Sequence, residues 1–295
     1  MRVEERTRTV SVLTRAAQPG VSASDLPRRS RLIGRRVVLS AIVPILILLV
    51  WWLGSLSPTK GLFIASPLAT VVRTFQDFLG GNASHLFLGT VAWQDLLPSL
   101  WRATVGFWLA LVVGVVVGTA LGVKPVVAAL FQPLVHLGRS LPTPALLGVF
   151  FLLFGTGDWP KVLLIAFGVI WPILFNTIDG VQGIGTGRAH VAEVFKLRRR
   201  DVLFRILLPG AAPKIFAGAR VALSLSLIMM IISELQKSRN GLGYLLVATQ
   251  RNFDYPGFWS VLLVLALIGI ILNIIIVRIE RRVLAWHQGA TSQHD

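Results

Sequence analysis

No cysteine occurs anywhere in the 295-residue chain, which excludes disulfides, thiolate metal sites and a cysteine nucleophile. Charge is scarce as well. Only 14% of residues are Asp, Glu, Lys or Arg, against roughly 25% in soluble domains. Acids are the scarcer sign, 13 against 29 bases, and the net charge is +16. The five histidines (85, 136, 190, 287 and 294) lack metal-ligand spacing. No G-x-S-x-G or H-E-x-x-H occurs. The nearest approach to a phosphate loop, Gly118 to Pro125, has the wrong spacing and no Ser or Thr after Lys124. Nucleotide chemistry and hydrolysis are therefore not expected on this chain.

What the chain has instead is apolar length. Mean hydropathy is +0.73, and 54% of residues are hydrophobic. Several runs reach the ~20 residues that cross a bilayer. Six spans are predicted, near 37–54, 101–122, 140–155, 161–178, 214–235 and 257–277. The fold class is thus an all-α integral membrane protein. Residues 1–36, with nine Arg and three acids among Pro, Ser and Gly, read as a basic, disordered tail. The first run has no small-residue cleavage site after it and reads as a retained anchor. Residues 37–285 form the membrane domain, and 286–295 are a short tail.

Basic residues are unevenly spread. Residues 1–36 hold nine, 179–214 hold seven and the end of the last span holds three, whereas 55–100, 156–160 and 236–256 hold two, none and three. Arg and Lys collect on the cytoplasmic side of membranes. Both termini and the 179–214 block are therefore placed on the cytoplasmic side of the membrane. The net charge belongs to this bias rather than to nucleic-acid binding.

Local signals add detail. Ser66-Pro67 opens a helix whose Leu68, Val71, Val72, Phe75 and Leu79 share one face, set against the protein or the membrane surface. Gly114, Gly118 and Gly122 fall four apart; either another helix approaches there or they are ordinary glycines of a membrane helix. Pro142 and Pro144 forbid a regular helix at the start of the third span, and a break there points to a bend beside a pathway. Lys124 and Arg139 fall in the connection before it. Arg220 and Glu234, ionisable residues in or at the ends of span five, are candidate functional groups. Asn176 and Ser224 either line a path or bond across helices.

The block "HVAEVFKLRRRDVLFRILLP" (190–209) is the least expected feature. Arg199 to Leu208 reads as an amphipathic helix with Val202, Leu203, Ile206 and Leu207 on one face, ended by Pro209. By composition alone this is a helix held to anionic lipid. It also resembles the cytoplasmic coupling ("EAA") loop of ABC importer permeases, E-A-A, three residues, Gly, nine residues, then I-x-L-P. Ile206-Leu207-Leu208-Pro209 matches the end. His190-Val191-Ala192 falls on E-A-A, followed by Glu193, and Lys196 falls on the glycine, where a Lys is not expected to copy the turn. "SLWR" (Ser99 to Arg102), "RSLPTPALLGVFFLLFGTGDWP", "PILFNT", "SELQKSRNGLGYLL" and "RIERRVLAWHQ" follow in family order. They are similar to the branch serving nitrate, sulfonates and taurine.

The resemblance implies a type I ABC importer permease fold with cytoplasmic coupling helices. It implies a non-catalytic subunit with no cofactor of its own, and ATP-Mg on a partner. A homodimer, two ATPase subunits and an extracytoplasmic solute-binding protein are expected, moving a small anionic solute. The coupling loop (about 186–209) would use His190, Val191, Ala192, Glu193, Lys196, Leu197, Arg198, Arg199, Ile206, Leu208 and Pro209. Pathway candidates are Pro142, Pro144, Asn176, Arg220, Ser224 and Glu234. The alternative is a stand-alone secondary transporter or channel, for which internal repeats and in-membrane charge relays are the usual marks; neither is apparent here.

Overall fold

The computed structural model describes residues 42–57, 61–81, 87–184, 194–236 and 238–285, and every regular element among them is helical. Helix α1, Ile42–Ser55, covers the later part of the first predicted span and is a unit by itself. The other unit begins with α2, Pro67–Thr74. Ser66 caps it by accepting a hydrogen bond from Ala69 N at 3.2 Å, with Pro67 in the first turn, as the sequence predicts. A π-helical turn, Phe75–Leu79, extends α2. On its predicted apolar face Leu68, Val71, Val72, Phe75 and Leu79 are all exposed among the described residues. Arg73 bridges Asp77 and Asp254 at 3.0 and 3.1 Å, tying α2 to the start of the last helix. Burial lifts the Asp77 carboxyl above its ordinary value, with the Asp254 charge adding to the lift and Arg73 opposing it.

Among the described residues, four helices are long and apolar enough to cross a membrane: α3 (Ala92–Val123), α6 (Trp159–Gln182), α7 (Arg199–Glu234) and α9 (Tyr255–Val283). A fifth crossing is made by two half-length helices, α4 (Pro125–Ser140) and the Thr143–Leu146 turn leading into α5 (Leu147–Phe154), bent by 81°. The break falls at Leu141-Pro142, where the two prolines predicted it. The prediction placed the whole crossing in 140–155; half of it is made instead by the apolar stretch before the prolines. A short helix, α8 (Leu242–Arg251), links α7 to α9.

Packing fixes the directions. On α3, Gly106, Gly114, Gly118 and Gly122 form a groove filled in turn by Ile165, Ile173, Thr177 and Val181 of α6. Both series rise together, so α3 and α6 are parallel. A Cβ placed on Gly118 would lie 2.7 Å from Thr177 Cβ and 3.0 Å from the Leu174 carbonyl oxygen. The glycines are thus there for close approach, which drives helix association in lipid, where there is no hydrophobic gain between helices. Helix α7 runs the other way, with Gly180 against Ala211 and Lys214, Gly218 against Pro172 and Asn176, and Gly168 against Met229. Helix α9 returns beside α7. Phe107, Ala110, Val169, Ile173, Ala219 and Ala222 make the central core of this bundle.

One expectation is corrected. Pro209 does not end a helix. The amphipathic segment and the predicted span at 214–235 are a single helix, α7, running through Pro209 and Pro213. A π-helical turn at Val202–Leu207 lies directly before Pro209. Proline removes one N–H and crowds the carbonyl four residues back; the widened turn takes up both effects without breaking the rod.

Candidate functional site: the basic end and the buried charge network

At one end of the bundle lie Lys196, Arg198, Arg199, Arg200, Lys214, Arg278, Arg281 and Arg282. His190, Val191, Ala192 and Glu193 lie outside the described residues. Among those described, Val194, Phe195, Leu197 and Phe204 stand exposed between exposed Arg198, Arg199, Arg200 and Arg205. The opposite face, Val202, Leu203, Ile206 and Leu207, is half-buried, as the periodicity requires, and Leu208 and Pro209 continue it. Asp201 pairs with Arg205 one turn on, at 3.4 Å.

Lys196 departs from expectation in a useful way. Its φ is 46°, the left-handed region. The lysine thus holds a left-handed backbone that favours glycine, at a cost of about 1 kcal/mol. Lys196→Gly should raise the unfolding midpoint slightly, and a fall in a thermal melt would show that the lysine side chain supplies a contact of its own.

The opposite end holds a polar cluster buried in the bundle. Arg102 of α3 is 1% exposed and Glu234 of α7 is 0% exposed. Arg102 Nη1 donates to Glu234 Oε1 at 2.6 Å, Nε to Asp158 Oδ1 at 2.7 Å and Nη2 to Asn240 Oδ1 at 2.6 Å. Ser99 Oγ donates to the Glu234 carboxylate at 2.8 Å and accepts from Leu242 N. Gly243 N donates to Glu234 Oε2 at 3.0 Å, and Gly241 N to Asp95 Oδ1 at 2.8 Å. Lys161 Nζ reaches Ser238 Oγ at 2.7 Å. Gly241 is required here: its φ is 117°, and a Cβ on it would run into the Glu234 carboxylate. One guanidinium thus binds α3, the start of α6, the end of α7 and the turn into α8.

The predicted pathway residues divide. Glu234 belongs to the network just described. Arg220 is ion-paired to Glu280 of α9. Together with Ser224 and Asn273 it lines a groove of about 320 Å³ between α7 and α9. The Asn176 amide donates to the Pro172 carbonyl at 2.8 Å within α6. Pro142 and Pro144 sit exposed at the helix break. Residue-by-residue reading singled out neither Arg102, Ser99, Asp158, Lys161 nor Asn240; Ser99 and Arg102 entered only through the "SLWR" resemblance. A Ser-x-x-Arg pair at the head of an apolar span was the available signal. No group of residues able to hold a metal ion occurs among the described residues.

Residues 110–285 match the family of binding-protein-dependent transport system inner membrane components. The chain belongs to that family. The taurine transport system permease protein TauC of Escherichia coli (strain K12) is 28% identical over 256 residues, covering 86% of this chain and 92% of TauC. The nitrate import permease protein NrtB of Synechococcus elongatus is 29% identical over 188 residues, 61% of this chain and 65% of NrtB. Among solved structures, a chain of the inward-facing MetNI methionine ABC transporter superposes with a TM-score of 0.56 at 19% identity. It covers 64% of this chain and 94% of its own. The fold is that of a type I ABC importer permease, and the chain is a non-catalytic permease subunit.

Proposed function

We propose that two copies of this chain, related by a two-fold axis, form the translocation pathway for a small anionic solute of the sulfonate, taurine or nitrate kind. An extracytoplasmic binding protein delivers the solute. Two separate ATPase subunits carry ATP-Mg, and each grips the segment at about 186–209 of one copy. Residues 37–285 are the permease domain, with 1–36 and 286–295 as cytoplasmic tails. The cluster of Lys and Arg at one end of the bundle supports placing that end in the cytoplasm.

The observation that carries the coupling role is the exposure of Val194, Phe195 and Phe204 among Arg198, Arg199 and Arg200. Exposed aromatics beside Arg are the composition of a protein-docking patch. A lipid-surface helix would instead turn its apolar face to lipid and its Arg to water. Because the segment continues into α7, a push at Arg199 is delivered along the helix toward Glu234.

Arg198→Glu/Arg199→Glu should lower solute-stimulated ATPase activity of the reconstituted complex more than roughly tenfold, since like-charge juxtaposition at an interface costs several kcal/mol. The unfolding midpoint should stay unchanged, because both side chains are exposed. Normal coupling in that variant would remove the loop grip. Purification in gentle detergent should bring an ATPase along with the chain; a lone oligomer would favour the stand-alone transporter instead.

A further inference from the structure

We infer that Arg139, at the break between α4 and α5, is an anion-binding residue of the solute pathway, taking the charged group of a sulfonate, nitrate or similar small oxyanion. The site rests on the reading of this chain as a solute pathway and gives that pathway a specific station.

Position is the first observation. The Trp171 ring packs directly on Gly138, and Trp171 lies midway along α6. Arg139 therefore lies alongside the middle turns of α6, not in the connecting loop where the sequence placed it. The guanidinium lies over Phe175, about 10 Å short of the Gln182 end of α6 and about 24 Å from its Trp159 end at 1.5 Å per residue. Charge is the second. Arg102 has Glu234 and Asp158, and Arg220 has Glu280. Arg139 has no carboxylate partner among the described residues; its guanidinium lies over the Phe175 ring, 5.4 Å from the guanidinium carbon to the ring centroid. His136, one turn back on α4, lies on the same ring with centroids 5.4 Å apart. Exposure is the third: His136, Arg139 and Ser140 all face out of this chain. An unpaired cation there is tolerated where it faces a water-filled cavity and marks a solute or ion path. The indole N–H of Trp171, the ring that packs on Gly138, is buried without an acceptor among the described residues.

The absence of cysteine makes the test direct. Ser140→Cys, next to Arg139, gives the full-length chain a single thiol, assayed in native membrane vesicles. Two reagents of similar size are compared, the anionic 2-sulfonatoethyl and the cationic 2-(trimethylammonium)ethyl methanethiosulfonates. The anionic reagent should label faster. The anion-to-cation rate ratio should fall roughly tenfold with Arg139→Gln, because removing one nearby charge moves the two rates in opposite directions. Arg139→Lys should preserve most of the ratio. No labelling by either charged reagent would place this face in lipid or a closed contact and overturn the proposal. A ratio unmoved by Arg139→Gln would overturn it too, since a carboxylate of a second copy would then already neutralise the charge. Neither readout involves ATP or a partner protein, so a failure of the importer reading, seen as no ATPase co-purifying, is told apart from a failure of the anion site.

Discussion

Glu234→Ala will lower the stability of the chain by about 3–5 kcal/mol, the usual cost of leaving one member of a buried ion pair uncompensated. The carboxylate is fully enclosed and satisfies Arg102, Ser99 and Gly243 at once. Its removal strands a guanidinium that is itself 1% exposed. Asp158 remains to Arg102, but that side chain is half in solvent, so it offsets only part of the loss. The unfolding midpoint of the purified chain in mild detergent is the readout. A double variant, Arg102→Met/Glu234→Leu, should recover much of the loss, because apolar replacement of both members of a buried pair is often close to neutral. If the two single losses simply add in the double variant, the two side chains are not energetically coupled, and the geometry at this end has been given too much weight.

Gly118→Leu will cost at least as much as ordinary overpacking, about 1–3 kcal/mol, and is expected at the top of that range. A Cβ at this position meets Thr177 Cβ and also the backbone carbonyl of Leu174. A side chain can rotate away; a carbonyl inside a neighbouring helix cannot. Thr177→Ala should therefore rescue Gly118→Leu only in part. Gly148→Ala serves as the contrast. Nothing lies within 4 Å of the Cβ it would gain, and alanine favours the helix by about 1 kcal/mol. Equal destabilisation by the two variants in the same melt would show that close approach is not why α3 carries glycine.

Four of the six predicted spans were legible because about twenty apolar residues with little charge have few other uses. The bend at Pro142 was legible for a similar reason, since two prolines leave the backbone little choice. The Gly114, Gly118, Gly122 spacing was visible, but what filled the groove was not, because the Ile and Thr of α6 sit some sixty residues further on and carry no mark of their own. Lys196 was misjudged because propensity disfavours a left-handed lysine without forbidding it. Pro209 was misjudged because the rule that proline ends helices assumes an ideal α-helix before it, and the chain supplies a π-helical turn. Arg139 read as a loop residue because the third span was taken to begin at residue 140. Only the packing of Gly138 on Trp171 places it beside the middle of α6.

The network around Arg102 also sets an order of events during biosynthesis. Glu234 follows Arg102 by 132 residues and Asp158 by 56. At roughly 5–20 residues per second, Glu234 leaves the ribosome about 7–26 s after Arg102, and Asp158 after less than half that delay. A nascent α3 thus carries a guanidinium whose final partner does not yet exist. Asp158, at the start of the helix that packs in parallel on α3, is the earlier acceptor. The α3–α6 pair can close on its glycine groove with the charge already met by one carboxylate, and α7 then completes the site. Arg102 acts as a timer as well as a clasp, favouring assembly of the helices in the order in which they are made.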